Sequence, residues 1–343
     1  MKVAFFELEG WEEPIIRKEL EGKGFEIVKL SREPLKESEL DEIKEVEALS
    51  VFIYSKIDKE VFEKLPSLKI VTTRSTGFDH IDLEEAKRRG VAVCNVPDYG
   101  METVAEYTLM LILALLRKLR TTIERTCRGV FTREGLRGRE LEGKTVGVIG
   151  TGRIGSRLIK LLSGFDVKVL AYDVKPKDEL VEKYAVEYTS LEELLKNSDI
   201  VTLHVPYLPS THHLINRENI KLMKRGSYLI NTSRGSVVET EAIVEALREG
   251  ILEGVALDTF EGEEVWTEEE LIIFRGEKDV SPEVLRKAIE SFALTQFENV
   301  ILTPHNAYNT QEAIRRILMK TLQNLVEFKE RGECRYPVVK TKT

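Results

Sequence analysis

The chain has 343 residues, 42% hydrophobic and 32% charged, enough for two domains with sizeable cores. Its formal net charge is −8, with basic residues dispersed among the acids and no basic stripe, which argues against a nucleic-acid partner. The three cysteines (Cys94, Cys127 and Cys334) are odd in number, widely spaced and lack a CxxC pair, so neither a metal site nor a disulfide framework is expected and a reducing cytoplasm is the simpler setting.

The N-terminus, Met1 to Phe6, reads as a first strand rather than a signal peptide. Strand-like runs recur at Val3 to Phe6, Glu26 to Leu30, Ala48 to Tyr54, Ile70 to Thr73 and Val91 to Cys94. Helical segments alternate with them at Glu12 to Leu20, Lys59 to Lys64 and Leu83 to Arg88. Such alternation predicts a parallel sheet covered on both faces by helices. The most apolar run, Thr108 to Leu116, is well short of the roughly 20 residues of a membrane span. It belongs to a helical pattern from Glu102 to Thr126, read as one long helix buried between domains or subunits.

A second α/β set follows. Strands are expected at Thr145 to Ile149, Val167 to Tyr172, Ile200 to Leu203, Tyr228 to Asn231, Gly254 to Leu257 and Val300 to Leu302, with helices that include Leu191 to Lys196 and Glu241 to Arg248. The charged segment Glu264 to Glu290 has no strand pattern and is expected to pack outside the sheet as a solvated surface. Helical spacing returns from Thr310 to Lys329.

Between the first two strands of this set lies Gly150-Thr151-Gly152-Arg153-Ile154-Gly155. Its first glycine permits a tight turn, the second lets backbone approach a pyrophosphate, and the third lets the helix pack close to the strand. The helix N-terminus then faces the phosphates with its partial positive charge. Asp173, closing the next strand, is placed to accept hydrogen bonds from an adenosine ribose diol, and a carboxylate there favours NAD over NADP.

In open α/β sheets ligands bind beyond the carboxyl ends of the strands, so the turns after Thr73, Ile149, Leu203, Asn231, Leu257 and Leu302 hold the candidate chemistry. His305, just past a strand end and after Pro304, suits a general acid/base near neutral pH; a loop or capping histidine is the plainer alternative. Asp258 and Glu263 follow Leu257, and a carboxylate beside His305 would fix its tautomer, although this chain has many surface acids. Arg234 can clamp a carboxylate bidentately or serve a structural ion pair.

Taken in order, the motifs resemble those of the D-isomer-specific 2-hydroxyacid dehydrogenase family. The resemblance rests on Arg74 to Asp82, Asn95-Val96-Pro97 with Val104-Ala105-Glu106, Gly150 to Gly155 with Asp173, and Leu203-His204-Val205-Pro206. It continues through Asn231 to Gly235, Leu257-Asp258 to Glu263, and Thr303-Pro304-His305. Asp258 to Glu263, the insertion before His305, and Ala307 to Thr310 are most like the D-lactate dehydrogenase branch.

The resemblance implies an α/β protein of two Rossmann-like or flavodoxin-like domains with parallel sheets and an active site in the interdomain cleft. Residues 1–99 plus 309–343 would form the substrate domain and 100–308 the NAD-binding domain. Arg234 would polarise the substrate carbonyl, His305 would exchange its proton, and Glu263 would hold His305 protonated. Backbone N–H groups of Thr76 and Gly77 would cradle the substrate carboxylate, with Tyr54, Tyr99 and Tyr308 placed either to line the pocket or as ordinary residues at a domain edge. For NAD the match carries over Gly150, Gly152, Arg153, Ile154, Gly155, Asp173, Val205, Pro206 and Thr211, then Thr232, Ser233 and Asp258 near the nicotinamide. His204 is read as structural or on the cofactor side.

The expected reaction is NADH-dependent reduction of a small 2-oxo acid, pyruvate by preference, by a cytoplasmic homodimer. The alternatives are a glyoxylate or hydroxypyruvate reductase, and a non-catalytic dinucleotide-sensing protein like the C-terminal-binding corepressors. The intact trio and the lack of a long disordered tail favour an enzyme. Thr76, where many relatives have valine, and Asn306 and Asn309, in place of more apolar residues, depart from the family pattern.

Overall fold

The computed structural model describes residues 1–263, 286 and 291–340. The chain forms two compact units, Met1–Tyr99 with the chain from Thr310 onward, and Gly100–Asn309.

The first unit opens with strands β1 (Lys2–Phe5), β2 (Glu26–Leu30), β3 (Ala48–Val51), β4 (Ile70–Thr73) and β5 (Ala92–Cys94). Helices α1 (Glu12–Leu20), α2 (Lys59–Lys64) and α3 (Leu83–Arg89) connect them. Local chemistry sets several ends. The Asp58 and Asp82 side chains accept from the first-turn N–H groups of α2 and α3, and Gly90 closes α3 at φ +70°. All four residues of β3 and of β4 are buried, as a strand covered on both faces requires.

The second unit begins with α4 (Met101–Leu116) and α5 (Leu119–Cys127). One continuous helix was expected here; instead Lys118 takes a left-handed conformation at φ 50° and breaks it. The break falls where the apolar run stops at Leu116, so α4 keeps the buried face while no residue of α5 is buried. There follow β6 (Thr145–Ile149), α6 (Arg153–Leu162), β7 (Lys168–Tyr172), α7 (Asp178–Tyr184), β8 (Glu187–Tyr188), α8 (Leu191–Asn197) and β9 (Ile200–Leu203). Then come β10 (Ser227–Asn231), α9 (Thr240–Arg248), β11 (Leu252–Leu257) and β12 (Val300–Leu302). The expectation for Glu264 to Glu290 lies outside the described residues, apart from Arg286.

The chain re-enters the first unit through α10 (Gln311–Arg331), capped by the Thr310 side chain, and ends its described part with β13 (Pro337–Val339). The first sheet has the order β13-β5-β4-β3-β1-β2 and the second β12-β11-β10-β9-β6-β7-β8. Every pairing is parallel except that of β13 with β5. In the first unit one core joins α1 and α10 to the sheet through Ile16, Leu318, Leu322 and Phe5, while the other face is closed by Phe62, Ala86 and Leu49. In the second, Leu111, Ile112 and Leu158 pack on one face and Leu194, Ile243 and Leu247 on the other.

The cysteine reading is corrected. Cys94 and Cys334 are disulfide-bonded, with Cα atoms 6.5 Å apart and a sequence separation of 240, and Cys127 alone is a free, exposed thiol. Spacing could not reveal a pair that tertiary structure brings together when β13 returns beside β5. Among the described residues no helix is long and apolar enough to cross a membrane.

Candidate active site

In the second sheet the register aligns the ends of six neighbouring strands. Tyr172 pairs with Ile149, Ile149 with Leu203, Leu203 with Asn231, Asn231 with Leu257, and Leu257 with Leu302. The turns carrying Asp173, Gly150, His204, Thr232, Asp258 and Thr303 therefore leave one sheet edge side by side. Strand order reverses between β6 and β9, the crevice where open α/β sheets take ligands.

The glycine turn is built around that crevice. Gly150 has φ +92°, and a Cβ on it would lie 2.8 Å from the carbonyl carbon and oxygen of His204. A Cβ on Gly155 would fall 2.0 Å from the Gly150 carbonyl oxygen, so α6 starts hard against the turn. Gly152 instead faces open space and caps α6 without any side-chain hydrogen bond. With a side-chain-free residue in the capping position, the N-terminus of α6, which begins at Arg153 and Ile154, suits an anionic group. Asp173 accepts from Thr151 N at 2.6 Å and Thr151 Oγ1 at 3.1 Å through Oδ2, and from Lys175 N at 2.8 Å through Oδ1. Its acceptor capacity is not exhausted, so a ribose diol can still be bound. An open helix N-terminus, a glycine cradle that any Cβ would fill and an acid at the next strand end fit a dinucleotide such as NAD.

Next along the edge, Val205 and Pro206 leave β9, and Thr211 Oγ1 ties their turn by accepting from Leu208 N at 2.8 Å and donating to Pro206 O at 2.7 Å. The ring of His204 sits 3.0 Å from Thr202 Oγ1 through Nε2, and its buried Nδ1 has no hydrogen-bond partner among the described residues. Burial lowers its pKa to about 3, so it is neutral near pH 7 and unsuited to acid/base work there.

After β10, Asn231 organises the loop that carries Arg234. Its Oδ1 accepts from Ser233 N and Ser233 Oγ, and its Nδ2 donates to Arg234 O. Thr232 is held by a hydroxyl pair with Thr108 at 2.9 Å. Arg234 Nη1 donates to Ser233 O at 2.8 Å, and no carboxylate pairs with this guanidinium among the described residues. The remaining donors stay available to an incoming anion.

His305 Nδ1 lies 3.0 Å from Glu263 Oε1, so the pair engages one ring nitrogen and not Nε2. The His305 turn is strained at φ 50° and is held by Asp258, whose carbonyl accepts from His305 N. The Asp258 carboxylate, 1% exposed, accepts from Thr303 Oγ1 at 2.6 Å, Asn306 N at 2.8 Å and Ala307 N at 2.9 Å. Two of these donors meet Oδ1 and one meets Oδ2, which keeps room for a further donor. The structure thus gives Asp258 a positioning task that the sequence did not reveal. Tyr308 stands edge-on to His305 with ring centroids 6.3 Å apart.

The first unit carries its own polar edge. Thr76 and Gly77 follow β4; Thr76 Oγ1 donates to Val96 O and Asn95 Nδ2 donates to Thr76 O. Among the described residues neither the Thr76 nor the Gly77 N–H has a hydrogen-bond partner, as an anion-binding loop would require. Tyr54 is 57% exposed, and Tyr99 O accepts two hydrogen bonds from Arg316. Sequence reasoning had not placed Asn231 or Gly235 in the site. The signal for Asn231 was present, an asparagine one residue ahead of Thr-Ser-Arg at a strand end, where its side chain can bond backbone two residues on.

Comparison with known proteins agrees with this construction. Residues 109–307, more than half of the chain, match the family described as D-isomer specific 2-hydroxyacid dehydrogenase, NAD binding domain. A glyoxylate reductase of Thermofilum pendens is 41% identical over 298 residues, covering 85% of this chain and 81% of that one. The D-lactate dehydrogenase kk1H of Curvularia clavata is 41% identical over 281 residues, 81% of this chain and 77% of its own. Among solved structures, D-lactate dehydrogenase from Aquifex aeolicus, complexed with NAD and lactic acid, superposes with a TM-score of 0.84 at 39% identity, over 97% of this chain and 98% of that one.

The fold and the cofactor cradle define a nicotinamide-dependent oxidoreductase. The chain belongs to the D-isomer specific 2-hydroxyacid dehydrogenases, NAD-dependent enzymes acting on D-2-hydroxy acids.

Proposed function

We propose that this chain is a D-lactate dehydrogenase that reduces pyruvate, or a closely related small 2-oxo acid, with NADH. The observation that carries the catalytic part is the His305–Glu263 pair at 3.0 Å on a turn anchored by Asp258. When bound, the dinucleotide supplies hydride to the 2-oxo carbon. His305 delivers a proton from Nε2 to the carbonyl oxygen, and in the reverse direction Nε2 takes it back. Glu263 fixes the ring orientation through Nδ1 and stabilises the charged imidazolium. Arg234 binds the carboxylate and carbonyl oxygens with the donors that Ser233 O does not use, polarising the carbonyl. The Thr76 and Gly77 N–H groups bind the carboxylate, and Tyr54, Tyr99 and Tyr308 line the side-chain pocket. Thr232, Ser233 and Asp258 serve the nicotinamide end, with Val205, Pro206 and Thr211 along the dinucleotide.

A second reading, glyoxylate reduction, is favoured by the Thermofilum pendens relative. The two substrates differ by one methyl group, worth about 10-fold or more in kcat/KM in a fitted apolar pocket. Initial rates of NADH oxidation with pyruvate, glyoxylate, hydroxypyruvate and 2-oxoisocaproate decide between them. Pyruvate leading with a D-configured product supports the proposal, and glyoxylate leading replaces it.

We further infer a cytoplasmic homodimer. Met110 on α4, Leu119 and Ile123 on α5, and Val130 and Phe131 just beyond expose 44 to 79% of their surface, an apolar run that a second copy would cover. Ile123→Asp with Phe131→Asp is expected to halve the mass measured by light scattering; a wild-type monomer would refute the inference. The cytoplasmic part rests on the demand for a reduced nicotinamide cofactor.

A further inference from the structure

A second imidazole–carboxylate pair lies on the turn that carries Glu263. His213 Nε2 meets Glu261 Oε1 at 2.8 Å, and the other oxygen, Oε2, accepts from Thr240 N at 3.0 Å. Thr240 is the first residue of α9, so Glu261 meets an uncapped helix N-terminus whose own capping residue, Glu239, makes no side-chain bond there. The carbonyl of Glu261 is held as well, by Ser291 Oγ at 2.7 Å. Burial pushes the Glu261 carboxyl up, yet the His213 ring and the Thr240 N–H outweigh it and hold its pKa below the usual value.

His213 is itself fixed. Its backbone takes the left-handed conformation at φ 47°, its N–H donates to Ser236 O at 2.9 Å, and its ring stacks on His212 with centroids 4.0 Å apart. The segment continues as a parallel bridge between Ile215 and Val238. The 213–215 stretch is thereby zipped to the chain that runs from Arg234 to α9. From the opposite side, a Cβ on Gly235 would lie 2.3 Å from Phe260 C and 2.8 Å from Glu261 N. The residue after Arg234 thus sits flush against the peptide that precedes Glu261.

We propose that His213 and Glu261 are positioning residues for the reaction: their pair locks the Glu263 turn to the Arg234 loop. Glu263 Oε2 lies 3.3 Å from Phe260 N while Oε1 reaches His305, so the course of the chain through residues 260 to 263 sets where that carboxylate can stand. A turn cut loose from His213 and from α9 lets Glu263 drift from His305, and a small misplacement is costly in rate. This inference rests on the reading of His305 and Glu263 as the catalytic pair.

The test is a double-mutant cycle on the full-length enzyme. Glu261→Ala is expected to lower kcat roughly tenfold, with the KM for pyruvate and the Kd for NADH changed less than about twofold. In a Glu263→Ala background the same change is expected to cost less than about twofold, because the group it positions is gone. His213→Gln follows Glu261→Ala, while Glu261→Gln, which keeps an acceptor for Thr240 N, recovers most of kcat. If Glu261→Ala does not fold, His213→Gln runs the same cycle against Glu263→Ala. Full kcat in the single variants, or additive losses in the double, overturns the inference while a dead His305→Ala leaves the site reading intact. His305→Ala at wild-type rate overturns both.

Discussion

At the carboxyl edge of the first sheet the guanidinium of Arg74 is consumed by the fold, whereas at the corresponding edge of the second that of Arg234 is not. Arg74, 2% exposed, donates from Nη2 to Phe6 O and Glu7 O, both at 2.6 Å, and its Nε lies 3.7 Å from Glu12 Oε1. Glu12 is 4% exposed, and burial raises its carboxyl pKa against the pull of Arg74. Glu7 gathers Phe52 N, Tyr54 N and Ser55 Oγ on its two oxygens. These charges build a rigid edge. Past β10 and β11 the carboxylates of Asp258, Glu261 and Glu263 hold backbone and histidines, and the Arg234 guanidinium has no carboxylate partner among the described residues. Two similar sheets thus differ in which of their edge charges are already spent, and chemistry belongs to the unspent ones.

The sharpest way to break this comparison is His305→Ala. Loss of acid/base catalysis is expected to lower turnover by ~10² to 10⁴-fold while NADH still binds, as read by cofactor fluorescence. An unchanged rate would remove His305 from the mechanism. The two arginines come next. Arg74→Ala leaves Glu12 buried without its partner and is expected to cost about 3 to 5 kcal/mol of unfolding free energy in a urea titration. Arg234→Ala is expected to leave the midpoint in place and to raise the KM for pyruvate. The reverse pattern would show that the roles have been exchanged.

Cys334→Ser is expected to cost about 2 to 4 kcal/mol, because the bond to Cys94 closes a loop of 240 residues in the unfolded chain. Reductant should reproduce that loss in the wild type and do nothing to the variant. A wild-type melt indifferent to reductant would show that the bond contributes no stability.

Much of this was legible in the chain. The strands Glu26–Leu30, Ile70–Thr73, Thr145–Ile149, Ile200–Leu203 and Val300–Leu302 have the bounds expected from their apolar runs. The central three are buried on both faces and set off by polar turns, while the outer two, at sheet edges, keep the same apolar punctuation. The edge strands β8 and β13, two and three residues long, carry no such pattern, and antiparallel pairing of β13 depends on where α10 delivers it. The break at Lys118 is one residue's φ, invisible to periodicity. In the site, Arg234 and His305 stood out as candidates because strand ends concentrate ligand chemistry, while the trio with Glu263 was what the family resemblance implied. The His213–Glu261 pair and the three donors to Asp258 could not, since each joins turns 45 or more residues apart and no motif marks the partner. Sequence displays the groups that act more readily than those that aim them.

The smallest effect concerns His204, which separates structural from chemical histidine on the same edge. Its folded pKa is about 3, lowered by burial, against about 6.5 in an unfolded chain. Between those values the unfolded state binds a proton that the folded state refuses, so unfolding is favoured as pH falls. The stability that His204 allows is complete above pH ~6.5 and is lost progressively toward pH ~3, at a slope of up to about 1.4 kcal/mol per pH unit. His204→Asn is expected to flatten the decline of unfolding free energy between pH ~6.5 and ~4 relative to the wild type. Identical slopes in denaturant titrations would place the proton on the folded ring and make His204 a candidate acid/base group.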